Sequence, residues 1–393
     1  MEAAEKIPKE LYVYLDTTRG LCPGDLRQDV FHRGAGAHLW RDGQRDLRAP
    51  VVLFRRIRVR ARGDGWTFAP SVYVRAWGSA VGSKEAQGPL GGRFDVIAGD
   101  NRFGRPTWEK AETEMISLAC RAALDKGALP PEALDLCLGG DLLNQCISSS
   151  FAMRGLGRPY FGLYGACSTM AEGLILGAAL VSGGFGENIL ALASSHFCSA
   201  ERQYRYPLEY GGQRPPSAQW TATACGAVIL SKQAGPVRVT AALPGRIYDP
   251  GVRDPANMGA AMAQSAYETL RTWFGESRTG PEDYDLILTG DLAQVGSDVV
   301  RALFSRDGVE LGSRYRDCGC LLFSPEQDAH AGASGCGCSA AVLCGEILPR
   351  LASGALKRVL FCGTGALMSP VSSNQGESIP GICHLVRLEG RGA

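Results

Sequence analysis

One segment of this chain is written twice, and that duplication limits the folds open to it. Residues 165–195 read Gly-Ala-Cys-Ser, an apolar run, Ser-Gly-Gly-Phe and the strand-like Ile189-Leu190-Ala191-Leu192-Ala193. Residues 336–365 read Cys-Gly-Cys-Ser, a second apolar run, Ser-Gly-Ala-Leu and Val359-Leu360-Phe361-Cys362. Cys167 meets Cys338 and Ser182 meets Ser353, each pair 171 positions apart. A second echo lies upstream: Asp135–Leu142 (DLCLGGDL) returns as Asp285–Leu292 (DLILTGDL), 150 positions on. Two echoes in the same order imply a duplicated α/β half, with a site where the halves meet. The period is far too long for a solenoid.

The pattern between the echoes alternates strands with helices. Thr107 is placed to cap a helix running to Ala123, because its hydroxyl precedes the first apolar turn. Strands are expected at Leu134–Leu138, Tyr160–Tyr164, Ile189–Ala193, Asp285–Leu288 and Arg358–Cys362. Helices are expected from Asn144, from the Gly165-Ala166-Cys167 turn to Val181, over Ala260–Phe274 and from Ser339. Ala224–Leu230 and Val237–Ala242 are expected to close as a pair. The alternation predicts mainly parallel sheets covered by helices. Residues 173–181 (GLILGAALV) are apolar on every face, so that helix must be buried all round. A helix between two sheets meets that demand.

A chain of 393 residues accommodates two fused halves, and its 51 glycines imply many tight turns. We divide it into an Arg-rich extension (1–65), an N-terminal half (66–240) and a C-terminal half (241–393). The extension holds eleven of the arginines and reads as a poorly ordered arm, a basic surface patch or an over-long start. A net charge of +1 gives no pull toward nucleic acid. The chain opens without the basic and apolar regions of a secretory signal. Apolar stretches such as Leu174–Val181 fall short of the roughly 20 residues that a membrane span needs, so a soluble body is expected. Fourteen cysteines are scattered without framework spacing. Their CxC pairs lack clustered histidines, so neither a metal nor another cofactor is expected.

Cys167 is the leading chemical candidate, because it sits on a strand-to-helix turn among small residues. Backbone N–H groups and the helix dipole there favour negative charge and can lower the thiol's pKa and make it nucleophilic; the other reading is a buried structural cysteine.

With Cys362-Gly363-Thr364-Gly365, these features resemble the thiolase and ketoacyl synthase superfamily. The chain more closely resembles the stage V sporulation protein AD family. The segments that carry this are Gly88-Pro89-Leu90-Gly91 with Phe94-Asp95, Gly140-Asp141-Leu142-Leu143-Asn144-Gln145 and Gly165-Ala166-Cys167-Ser168-Thr169. To them add Ser194-Ser195-His196, Ala200-Glu201-Arg202-Gln203-Tyr204-Arg205-Tyr206-Pro207, Glu209-Tyr210-Gly211-Gly212-Gln213 and Glu377-Ser378-Ile379-Pro380. They run from about residue 70 to the C-terminus and leave out the extension. The resemblance implies a five-layered αβαβα fold and a homodimer. It also implies a protein that binds dipicolinic acid (pyridine-2,6-dicarboxylate) and works with integral membrane proteins of one sporulation transport complex. Together they load the acid into the developing spore and release it at germination. The chain would then be peripheral to the inner membrane of the forespore or spore.

Condensing chemistry needs His or Asn beside the cysteine to move protons and hold an oxyanion. Where a ketoacyl synthase has His-Gln-Ala-Asn, this chain reads Thr289-Gly290-Asp291-Leu292, and an acid there repels an oxyanion. His330 stands just before Gly332-Ala333-Ser334-Gly335, as a thiolase's His precedes its Gly-Ala-Ser-Gly but one residue closer. Cys362 falls where a thiolase carries its second cysteine. A Cys167/His330/Cys362 catalytic set is therefore one reading, and an exposed loop histidine is the other.

For a planar dicarboxylate the needs are helix-start N–H groups, an arginine fork and a flat side chain. The ligand candidates are Cys167, Ser168, His196, Arg202, Arg205, Asp141, Asp291 and Ser334. Arg202 and Arg205 either meet the ligand or pair with Glu201 and Glu209. Asp141 and Asp291, equivalents in the two halves, either take calcium that accompanies the ligand or merely shape turns. The balance favours a binding protein over an acyltransferase using Cys167 or a non-binding scaffold.

Overall fold

The computed structural model describes residues 58–204 and 214–393, so residues 1–57 of the Arg-rich extension and Arg205 lie outside the described residues. The strands of the first half are β1 (Arg58–Arg62), β2 (Gly65–Val81), β3 (Val96–Ile97), β4 (Leu136–Gly140), β5 (Tyr160–Gly162), β6 (Asn188–Ser195), β7 (Trp220–Thr221) and β8 (Ala224–Ser231). Those of the second half are β9 (Val237–Leu243), β10 (Leu286–Thr289), β11 (Tyr315–Asp317), β12 (Ala333–Ser334), β13 (Arg358–Ala366) and β14 (Gly381–Glu389). Their order across the main sheet is β11-β10-β13-β14-β9-β2-β8-β6-β4-β5.

The duplication is explicit in this order. Ranked along the chain within its half, each set of five strands lies 3-2-4-5-1 from its outer edge to the β2–β9 junction. Directions repeat as well. β4 pairs in parallel with β5 and β6, as β10 does with β11 and β13, while β8 and β14 run antiparallel to their neighbours. The sheet is therefore mixed rather than mainly parallel. Within each half no long crossover helix leads into the last strand, so that strand returns antiparallel. β8 and β9 do not pair with each other. β8 lies between β2 and β6, and β9 between β2 and β14. β9 thus opens the second half, and β1 extends the first by pairing with the start of β2.

Five layers result. The Trp108–Gly127 helix covers one outer face, and the Met258–Ser277 helix, packed on the Ala293–Arg306 helix, covers the other. Two central helices, Thr169–Gly183 and Cys336–Val342, lie between the halves. The first touches β2, β6 and β8 on one side and β13 and β14 on the other, as its apolar faces require. Residues 166–183 have a mean hydropathy of 1.4 and suffice in length and composition to cross a membrane, but 67% of that stretch is buried inside the protein. Three apolar clusters follow the layers: one around the central helices and one under each outer pair.

The inner layers touch closely. A Cβ on Gly337 would stand 2.0 Å from the Ala224 carbonyl oxygen, and one on Gly365 would stand 2.6 Å from that of Gly165. Both glycines are dictated by contact rather than by turn geometry. They let the starts of the central helices press against the strand ends, which is where Cys167 lies. Thr107 caps its helix as expected, accepting a hydrogen bond from the Lys110 N–H at 3.4 Å.

Candidate functional site

Cys167 lies in the single turn Ala166–Ser168 that links β5 to the first central helix. Ala166 adopts a left-handed φ of 49°, a conformation that costs a non-glycine residue about 1–2 kcal/mol. The strain aims the next side chain into a cavity of about 60 Å³ between the halves, lined by Cys167, Ala200, Glu201, Tyr204, Ser334 and Met368 among others.

The thiol meets Asp291, which stands on the loop after β10 and is fully buried. Two donors hold the Asp291 carboxyl, the Gly335 N–H at 2.9 Å and the Thr364 hydroxyl at 2.9 Å, and the Cys167 thiol lies near enough for the two groups to shift each other's pKa. Thr364 also accepts the Asp291 N–H at 2.9 Å, so β13 fixes both ends of the residue. Asp317 shapes the same loop by accepting from the N–H groups of Leu292 (3.0 Å) and Ala293 (2.8 Å) and from the Thr289 hydroxyl (2.7 Å). Burial raises the Asp317 carboxyl to about 7 and the Asp291 carboxyl to about 6.

Cys167 is pushed well above the usual thiol range, first by burial and then by the Asp291 charge and hydrogen bond. The lowered pKa that such a turn can give is not found. The dipole of a helix start acts over the first turn with about half a charge, whereas full burial penalises the thiolate and the Asp291 carboxylate nearby adds repulsion. Cys167 is therefore held as a protonated thiol.

The remaining candidates separate. Ser334 lines the Cys167 cavity. Ser168 is spent on the Gly165 carbonyl at 2.6 Å. His196 is fully buried as a neutral ring, with Nε2 donating to the Asn101 carbonyl at 2.7 Å, Nδ1 accepting from the Cys198 N–H at 3.2 Å, and burial lowering its pKa. Asp141 caps its own loop, accepting from the Leu143 N–H (2.9 Å), the Ser149 N–H (2.7 Å) and the Ser149 hydroxyl (2.7 Å). His330 lies on an exposed loop with Nε2 3.6 Å from Asp328, and the lining of the Cys167 cavity does not include it. Cys362 is buried in the outer apolar cluster of the second half, together with Cys383. Arg202 pairs with Glu109 and lines a different depression.

The structure thus brings together Cys167, Asp291 and Ser334, and leaves Cys362, His330, His196, Asp141 and Arg202 elsewhere. Sequence reasoning missed Thr364 as a site residue, although it stands in a segment it singled out, and offered Tyr204 only as one of two tyrosines for a ligand ring. Tyr204 donates to the Leu142 carbonyl at 2.8 Å across the cavity mouth. No group of three or more His, Cys, Asp or Glu side chains is arranged to hold a metal among the described residues.

Replacing Asp291 by Asn removes the carboxylate that adds to burial in keeping the thiol protonated. Iodoacetamide should then alkylate Cys167 several-fold faster at pH 8 than in the wild-type protein, as followed by peptide mass spectrometry. An equal or slower rate would mean that Asp291 does not set the state of the thiol.

Comparisons with known proteins agree with this architecture. The cerulenin-bound OleA of Xanthomonas campestris superposes with a TM-score of 0.55 at 14% identity, covering 84% of this chain and all of that one. AbyA1, a tetronic acid condensing enzyme, superposes with a TM-score of 0.51 at 18% identity, covering 81% of this chain and all of that one. At such identities the likeness is one of fold. The stage V sporulation protein AD of Bacillus subtilis (strain 168) is 43% identical over 327 residues, 83% of this chain and 97% of that protein. The family model for stage V sporulation protein AD matches residues 63–389. This chain belongs to the stage V sporulation protein AD family.

Proposed function

We infer that this sporulation protein is a binding protein, and that it uses the Cys167 cavity to hold dipicolinate without condensing acyl groups. The observation that carries the reading is the Asp291–Cys167 contact. Acyl transfer to a thiol needs a thiolate and donors for an oxyanion. Here the thiol keeps its proton, a carboxyl occupies the place of the donors, and no histidine lines the cavity among the described residues. Family membership supports the ligand and its traffic: uptake into the developing spore and release at germination, with integral membrane proteins as partners at the inner membrane of the forespore or spore.

The ligand's carboxylates would face the start of the first central helix, whose dipole favours an anion. Asp291 opposes this only when ionised. The cavity of about 60 Å³ is smaller than the roughly 300 Å³ at which ligand pockets begin. Entry therefore requires the flexible Met258 and Met368 side chains at its wall to turn aside. Calcium can accompany the ligand, but Asp141 and Asp291 are poor ligands for it, because their oxygens already accept protein donors. The homodimer is proposed across β5, which ends the sheet and exposes Phe161 and Tyr164; sedimentation of the protein as a monomer at micromolar concentration contradicts that pairing.

Titration calorimetry of the full chain with dipicolinate, with and without calcium, tests the ligand. We expect saturable binding whose affinity weakens as pH rises through about 6, because Asp291 loses its proton there. Absence of dipicolinate heat between pH 5.5 and 8 in either condition contradicts the reading.

A further inference from the structure

The short helix Phe197–Tyr204 has two concave faces. Ala200, Glu201 and Tyr204 line the Cys167 cavity, while Ser199, Arg202 and Gln203 line a separate groove of about 250 Å³. We propose that this groove is a second binding site, taking a small planar carboxylate with Arg202 as its anchor.

The argument begins with the groove's composition. Leu143 and Ile147 give it an apolar wall, suited to a ring. Arg202 and Asn144 supply donors, and a guanidinium presents a planar fork that matches a carboxylate. Among the described residues, the hydrogen-bond partner of the Arg202 side chain is Glu109, which lines the same groove. The Arg202 and Glu109 side chains are 41% and 32% exposed, and pairs at such exposure are weak enough for a ligand carboxylate to exchange with Glu109.

The groove is also rigid where it needs to be. Gln203 is stapled to the opposite wall, accepting from the Asn144 N–H at 3.0 Å and donating to the Leu142 carbonyl at 3.2 Å. Two successive residues between the lining residues Asn144 and Ile147, Gln145 (φ 60°) and Cys146 (φ 46°), are left-handed. Such conformations cost energy, and they cluster at ligand clamps. Below the floor, Ser199 donates to buried Glu112 at 2.9 Å. Burial and the neighbouring Asp141 raise the Glu112 carboxyl, so this acid adds little repulsion for an anion bound above it.

Leu142 lines the cavity while Leu143 and Asn144 line the groove. The two sites therefore share one helix and one loop as walls. The groove stands on its own residues, though dipicolinate as a probe rests on the function proposed above.

Calorimetry of the full chain with benzoate tests the groove, using wild-type, Arg202→Ala, Arg202→Lys and Glu109→Gln proteins. Benzoate affinity should fall about tenfold or more in Arg202→Ala and by less in Arg202→Lys, which keeps the charge but loses the fork. It should rise up to about fivefold in Glu109→Gln, where the competing carboxylate is gone. The Lys and Gln variants carry the test if the Ala protein does not fold. Absence of benzoate binding, or binding indifferent to Arg202 and Glu109, overturns the groove. A parallel dipicolinate titration keeps the two readings apart. Arg202-dependent benzoate binding without any dipicolinate binding removes the cavity's ligand and leaves the groove standing. Dipicolinate binding unchanged by Arg202→Ala, with no benzoate binding, does the reverse.

Discussion

The Thr169–Gly183 helix has no face that tolerates water, and the rest of the structure follows from covering it. One layer of strands hides one side of a helix, so a chain carrying such a helix needs two such layers. Duplication supplies the second. The halves then close on the helix from opposite sides, and their inner layers meet where glycine replaces side chains at positions such as Gly337 and Gly365. The same closeness puts the helix start against the loops after β10 and β12, so Cys167 and Asp291, 124 residues apart in sequence, come into contact.

That contact decides the chemistry. A buried turn at a helix start favours a thiolate only if nothing nearby carries a larger negative charge. Asp291 does, and it is anchored by Thr364 and Gly335 so that it cannot swing away. The fold is that of condensing enzymes, but the electrostatics of the site are reversed. A cavity that keeps its thiol protonated lacks the thiolate that acyl transfer needs, yet remains an anchored pocket between two halves.

Much of this was legible in the sequence. The echoes predicted the halves, and the all-apolar helix predicted the sandwich. The second echo misled in one respect, because Asp141 and Asp291 hold equivalent positions but not equivalent roles. Asp141 is taken by Ser149 eight residues on. The matching position in the second half is Val299, which offers no hydroxyl, and the loop there is shaped by Asp317 instead. That frees Asp291 to face the thiol. The echo could not reveal this, because Asp317 lies outside it. Arg202 and Tyr204 were legible as polar neighbours of a pocket, but not the division between them. Which side chain enters the cavity and which the groove depends on how the Phe197–Tyr204 helix is turned, and long-range packing sets that. The 17-residue β2 was also missed. It holds the two halves together through its pairing with β9, a register fixed between distant segments rather than by local pattern.

The central claim is that Cys167 is a thiol disarmed by burial and by Asp291. Intact-protein mass spectrometry after incubation with a short acyl-CoA tests it most directly. The account predicts an unchanged mass for the wild-type protein over hours at pH 7.5. A stable acyl adduct localised to Cys167 would contradict it.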